Sequence, residues 1–277
     1  MTTTRGDGGA RASIGRRMLL LLAAAAAAAM PARAIPGAPA DGALVAIGGG
    51  ARRGIYADVL QLYGRPAPKI LIIPHAAPAA DLRDAVDDNR RLFARSGAHD
   101  VEGLDLSRVD HARAQIARAD IIWMSGGLQR RLAGALREAG LIEDMRRRFA
   151  AGRGIIAGTS AGASIMSDVM IETSRRESEG TRHPVLARGL GLWRDAIIDQ
   201  HFSQRGRLQR LTRAVEMHPD LIGIGIDEDT GIVRFGDGTT RVIGSGTVTI
   251  LRATDPAAEA VTIEQTRLRR GQTIAQP

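Results

Sequence analysis

The sequence predicts an α/β fold built on a buried, mostly parallel sheet. Three observations carry that expectation. Short continuous apolar runs recur along the chain, several of them run into glycine, and polar segments of helical length lie between them. A strand covered on both faces reads as an unbroken apolar run, whereas a strand exposed on one face alternates. The 44% hydrophobic content is enough to bury a core of this kind and too high for a disordered chain.

The elements follow in order. Ala43 to Ile47 reads as a strand entering Gly48-Gly49-Gly50, and Lys69 to Pro74 as a second apolar run. Asp81 to Ser96 has the Arg/Asp lacing of a surface helix. Asp120 to Met124 is a third strand, ending near Gly126-Gly127; Gln129 to Ala139 and Leu141 to Ala151 read as helices. Gly154 to Ala157 is a fourth strand, running into Gly158. Further on, Asp195 to Asp199 and Ile222 to Ile226 read as strands flanking a helix at Leu208 to Met217. Four short β-rich runs close the chain, at Ile232 to Phe235, Thr240 to Ile243, Thr247 to Leu251 and Val261 to Thr266. Turns such as Gly236-Asp237-Gly238 separate them, so they are expected as antiparallel strands extending the sheet's edge.

Charge has to be located before it is interpreted. The formal net charge is +8, from 38 Lys+Arg against 30 Asp+Glu. Residues 1–34 hold Arg5, Arg11, Arg16, Arg17 and Arg33 against Asp7 alone, which is half of that excess. Arg5, Arg11, Arg16 and Arg17 precede Met18 to Met30, an apolar run of 13 residues, and Ala32-Arg33-Ala34 follows. A basic start, a short apolar run and a small-x-small end predict a secretory signal peptide. The run is shorter than the roughly 20 residues that span a bilayer, so no stable membrane span is expected. Arg16-Arg17 also suits twin-arginine export. Residues 35–277 are then expected as one domain of a periplasmic or secreted protein. The absence of cysteine excludes disulfides, thiolate metal sites and a Cys nucleophile. The 3% aromatic content argues against base-stacking surfaces, so no nucleic-acid partner is expected.

The strongest chemical signal is Gly158-Thr159-Ser160-Ala161-Gly162, which matches G-x-S-x-G between an apolar strand and a helix-compatible segment. Small residues are needed on both sides because the turn is tight and holds the serine out toward substrate. The Ala161 N–H, at a helix start, is placed to stabilise an oxyanion. A serine nucleophile needs a base. Of His75, His99, His111, His183, His201 and His218, His201 stands out: in Asp199-Gln200-His201-Phe202 it follows the strand Ala196-Ile197-Ile198, at the end where open α/β sheets collect functional groups. The other five sit in helix-like or turn-like surroundings and read as surface residues. No H-E-x-x-H or related spacing exists, so neither metal nor other cofactor is expected. Asp227-Glu228-Asp229 ends another strand at the same edge, and spacing alone does not choose the acid that orients the imidazole.

Three segments together carry a family resemblance: Gly158 to Ala163, Asp199-Gln200-His201-Phe202 followed by Arg205, Arg207 and Arg210, and Gly223 to Glu228. In this order they resemble the cyanophycinases, serine peptidases related to aspartyl dipeptidase (peptidase E), over about Val45 to Leu251. The resemblance implies a doubly wound flavodoxin-like sheet, as in class I glutamine amidotransferases. It implies Ser160 as nucleophile, His201 as base and Glu228 as orienting acid. That chain order differs from the Ser…Asp…His order of α/β-hydrolases. It implies Gln129, Asp199, Gln200, Arg205, Arg207 and Arg210 in the substrate pocket, and a homodimer. The implied substrate is cyanophycin, a poly-aspartate with arginine on each β-carboxyl, cleaved to β-Asp-Arg dipeptides. Short aspartyl or isoaspartyl peptides are the alternative substrate, and a binding module on the same scaffold is the non-enzyme alternative. One departure stands out. The family pattern Gly-Gly-Asp-Gln is here Gly126-Gly127-Leu128-Gln129, which leaves the Gly127 N–H available to an oxyanion but removes an acid beside the arginine branch.

Overall fold

In the computed structural model, which describes residues 42–176, 182–257 and 261–274, each predicted apolar run is a strand, and the strands divide between two packed sheets. The expected signal peptide at 1–34 lies outside the described residues. Strands β1 (Ala43–Ile47), β2 (Ile70–Ile73), β3 (Val101–Gly103), β4 (Ile121–Met124) and β5 (Ile155–Thr159) run parallel. Two later strands extend this sheet: β10 (Thr230–Phe235) pairs antiparallel with β1, and β11 (Thr240–Gly244) pairs antiparallel with β10. The order across this seven-stranded sheet is β11-β10-β1-β5-β4-β2-β3.

Alternation along each strand sorts its side chains onto the two faces. Ala43, Val45 and Ile47 face α1 (Arg53–Tyr63) and α2 (Leu82–Arg95), in a cluster with Ile55, Val59, Leu62 and Phe93. Leu44 and Ala46 face the opposite way, toward α3 (Val109–Arg118), α4 (Gln129–Glu138) and α5 (Ile142–Ala150). Helices therefore cover both faces, the doubly wound arrangement that the resemblance implies.

The C-terminal third differs from the expectation in one respect. Strands β10 and β11 extend the main sheet, but β12 (Val248–Ala253) and β13 (Ile263–Leu268) do not. They join β8 (Ala196–Gln200) and β9 (Ile222–Ile226) in a second, four-stranded sheet, ordered β13-β12-β9-β8. Ala196, Ile198, Ile224, Ile226, Val248 and Ile250 belong to the same cluster as Leu44 and Ala46, so the two sheets share a core. Ile197 and Leu251 point the other way, onto Leu211, Ala214 and Val215 of α7 (Leu208–Met217). These strands carry apolar residues on both faces, which a solvated edge would not require.

Five elements escaped the apolar-run reading. Helix α1 buries Ile55, Val59 and Leu62 at helical spacing, with no continuous apolar run; α3 buries only a narrow stripe, and β3 has three residues. A hairpin of β6 (Val169–Arg176) and β7 (Arg182–Arg188) is polar throughout much of its length. Among the described residues, no helix is long and apolar enough to cross a membrane.

Register brings the ends of several strands together. Ala46 of β1 and Met124 of β4 both sit opposite Gly158 of β5. In the second sheet Gln200 of β8 is opposite Ile226 of β9. The segments beginning at Gly48, Ser125, Ser160, His201 and Asp227 therefore emerge from C-terminal strand ends, where α/β sheets bind ligands.

On the far face of β4, Trp123 is fully buried, stacked on Tyr56 at 4.6 Å between centroids and met edge-on by Phe93 at 5.2 Å. The chain has only eight aromatic residues, so this cluster is a large share of its aromatic packing. Trp123→Ala is expected to lower unfolding free energy by about 3–5 kcal/mol. Urea unfolding checks this; a loss below about 1 kcal/mol would contradict the packing described.

Candidate active site

Ser160 sits between β5 and the short helix α6 (Ala161–Ser164), with φ 52° and ψ −110°. A β-carbon makes positive φ unfavourable, so this conformation is a strained turn held by its surroundings. The Ser160 N–H donates to the Ile47 carbonyl at 2.9 Å, fixing the turn against β1. Gly158 and Gly162 leave room: a β-carbon at Gly158 would lie 2.3 Å from the Gly162 carbonyl oxygen.

Ser160 Oγ lies 2.9 Å from His201 Nε2. On the other side of the ring, His201 Nδ1 lies 2.5 Å from Glu228 Oε1. These three residues make a linked hydroxyl–imidazole–carboxylate chain. The tautomer consistent with it carries the proton on Nδ1, donated to Glu228, and leaves Nε2 able to accept from the serine hydroxyl.

The three neighbouring acids have separate partners. Asp227 accepts from the Ser203 N–H and from the Thr247 N–H and hydroxyl, at 3.0, 3.1 and 2.6 Å. Burial pulls its carboxyl upward, but these bonds from Thr247 and Ser203 overcome that and hold it below the usual carboxylate range. Asp229 accepts from the Arg52 N–H and the Ser245 hydroxyl. Glu228 alone of the three meets the imidazole.

The ring's position depends on the glycines after β1. The His201 N–H donates to the Gly48 carbonyl at 2.6 Å, and the Asp229 N–H donates to the Gly49 carbonyl at 2.9 Å. Gly49 has φ +97°, and a β-carbon there would fall 2.3–2.4 Å from the His201 ring. Only glycine satisfies both conditions. The sequence marks this run as a strand end; its contact with the histidine is a long-range fact. Among described non-glycine residues, positive φ occurs at Ala67, Ser160, His201 and Asp229, and three of these four belong to this site.

Beside Ser160 lies the loop after β4. A β-carbon on Gly126 would be 3.4 Å from Ser160 Cβ, and Gly127 has φ +140° with the Ala76 carbonyl filling its β-carbon position. Gln129, predicted in the pocket, donates its amide to the Ile171 and Glu172 carbonyls of β6 at 2.6 and 2.9 Å.

The remaining predicted pocket residues separate into two groups. Asp199, 1% exposed, accepts from Arg210 Nε at 2.6 Å and also from Arg210 Nη2, a bidentate pair. Arg207 Nη1 reaches Asp199 at 3.3 Å and the Gln200 side-chain oxygen at 2.6 Å. Burial lowers the Arg207 guanidinium to about 10. Asp199, Gln200, Arg207 and Arg210 thus form an internal network under His201. Arg205 is exposed and has no ion-pair partner among the described residues. His75, expected on the surface, is half-buried at the end of β2, and burial lowers its imidazole.

A family model described as peptidase family S51 matches residues 44–242. The chain is 40% identical to a cyanophycinase of Trichormus variabilis over 186 residues, covering 64% of this chain and 62% of that protein. It is 37% identical to a cyanophycinase of Synechococcus elongatus over 224 residues, covering 77% of this chain and 69% of that protein. The matched part is therefore less than two thirds of the Trichormus protein. Among solved structures, the chain resembles a peptidase from an acI-B1 Actinobacterium with TM-score 0.63 and 23% identity, over 85% of this chain and 97% of that one. At that identity the likeness is one of fold.

Burial lowers the His201 imidazole, the Glu228 hydrogen bond opposes that, and the Arg205 and Arg207 charges add to the lowering. NMR titration of the ring should therefore give a midpoint below about 6.5. Arg205→Ala removes a repelling cation and should move that midpoint up. A native midpoint above the ordinary value would contradict this electrostatic account. Gly49→Ala should push the ring away from Ser160 and lower stability by about 1–3 kcal/mol. Thermal melting and labelling of Ser160 by a serine-directed reagent read the two effects; an unchanged labelling rate would count against the contact.

Proposed function

The chain belongs to peptidase family S51, and from that premise we propose that it is a serine peptidase hydrolysing aspartyl backbone bonds of cyanophycin, releasing β-Asp-Arg dipeptides. The linked chain of Ser160, His201 and Glu228, at 2.9 and 2.5 Å, is the observation that carries the chemistry. Relatives named cyanophycinase, those of Trichormus variabilis and Synechococcus elongatus among them, suggest the substrate.

Ser160 Oγ attacks the scissile carbonyl carbon while its proton passes to His201 Nε2. Glu228 holds the tautomer and stabilises the imidazolium as it forms. The Ala161 and Gly127 N–H groups receive the developing oxyanion; losing one such donor costs about 3–4 kcal/mol of transition-state stabilisation. His201 returns the proton to the leaving amine, and water, deprotonated by the same imidazole, opens the acyl-enzyme. A lowered imidazole pKa keeps His201 unprotonated at neutral pH, so that Nε2 is free to accept the serine proton.

A substrate of this kind offers carboxylates, and Arg205 is the exposed cation nearest in sequence to His201 able to receive one. Asp199, Gln200, Arg207 and Arg210 support that side from beneath, and Gln129 fixes the β6 side. The basic and apolar pattern of residues 1–34 supports export, so the polymer would be met in the periplasm or outside the cell.

The test is product analysis after incubating the purified protein with cyanophycin. The expected outcome is β-Asp-Arg release by the native chain and loss of turnover by at least a thousandfold in Ser160→Ala, with an unchanged melting profile. Near-native activity of that variant would overturn the nucleophile assignment. Cleavage of short aspartyl peptides with the polymer left intact would replace the polymer by a dipeptide substrate.

A further inference from the structure

Leu128 is one of two large apolar side chains that are exposed among the described residues, at 47%. Its position makes this informative. It precedes α4 directly and follows Gly127, in a loop whose Gly126 packs against Ser160. The loop is fixed from several sides. The Leu128 N–H donates to the Ala76 carbonyl at 3.0 Å, Arg131 donates to the same oxygen at 3.0 Å, and Gln129 is tied to β6. A rigid segment thus presents an isobutyl group to solvent two residues from the glycine that touches the nucleophile. Among the described residues, none of the hydrophobic clusters includes that group.

Resting on the peptidase reading above, we propose that Leu128 is a specificity residue. It forms an apolar lip of the cleft that meets the branch of an aspartyl substrate through methylene contact, without reading its charge. An arginine branch offers a three-carbon stem to such a surface as readily as a leucine branch offers its own carbons. Recognition of the branch amino acid's α-carboxylate and of its side chain are then separate: guanidinium on the Arg205 side, hydrocarbon on the Leu128 side. The substrate class extends to aspartyl oligomers whose branches are aliphatic and uncharged.

The experiment uses two soluble oligo-aspartates that differ only in the amino acid joined to each β-carboxyl, arginine in one and leucine in the other. The native protein should cleave both, with kcat/KM values within about tenfold of each other. Leu128→Asp places a carboxylate at the lip, and should lower the leucine-to-arginine ratio of kcat/KM by about tenfold or more, mainly through KM. Leu128→Ala should weaken both substrates without changing their ratio. Because the side chain is exposed, both variants should melt as the native protein does. A native preference for the arginine branch above a hundredfold would overturn the proposal. A ratio untouched by Leu128→Asp, with both oligomers cleaved, would overturn the leucine assignment and leave the peptidase reading standing. Failure of the native protein on both oligomers would overturn the aspartyl-polymer reading and this one with it.

Discussion

The site depends on how closely the backbone after β1 can approach the ring of His201. Ser160 belongs to one sheet, and His201 and Glu228 belong to another. Gly48 and Gly49 bridge them, accepting N–H groups from His201 and Asp229 while leaving no β-carbon in the path of the imidazole. The Ser160 N–H is bonded to Ile47, the residue just before them. One short stretch of main chain therefore sets both ends of the 2.9 Å contact between Ser160 and His201. A hydrogen bond of this kind weakens steeply with misalignment, so the seam between the sheets tolerates little slack.

Charge near the imidazole is arranged around a surplus of arginine. Asp199 is shared by Arg207 and Arg210, and Arg205 stands outside the pair. A buried carboxylate is costly unless paired and hydrogen-bonded, and here every oxygen of Asp199 is engaged. The net positive field that remains disfavours a second positive charge on His201 and attracts an anionic ligand. Burial is the main cause of the lowered His201 imidazole, and the Arg205 and Arg207 charges add to it. This local arrangement accounts for the arginine-rich motif better than the overall charge does.

Much of the fold is legible in the sequence because buried strands are unbroken apolar runs. The runs at 43–47, 120–124 and 222–226 locate β1, β4 and β9 within a residue, and α7 is found with its ends. The missed elements lack a continuous apolar run: α1, whose buried residues are spaced along one helix face, α3, with a narrow buried stripe, the three-residue β3 and the polar β6–β7 hairpin. Assignment of β12 and β13 to the second sheet was beyond local pattern, since pairing partners are set by register across long separations. Ser160 and His201 are visible from motif and position. Glu228 stands between two equivalent neighbours, and it takes the Thr247, Ser203, Arg52 and Ser245 contacts to separate the three. Arg205, Arg207 and Arg210 look alike in sequence, and only burial divides the exposed one from the two held by Asp199.

The concentration of positive φ at Ser160, His201 and Asp229 has a consequence for how such a chain changes over generations. Each strained residue costs on the order of 1–3 kcal/mol, while a domain's whole margin is about 5–15. Glycine at any of the three positions would recover part of that conformational cost, and mutation offers it freely. A copy relieved of its task would therefore drift toward relaxation at these sites first, gaining robustness as it lost its chemistry. The bent backbone works as a record of use: the scaffold keeps a costly geometry only while something is gained by keeping the serine and the imidazole where they are.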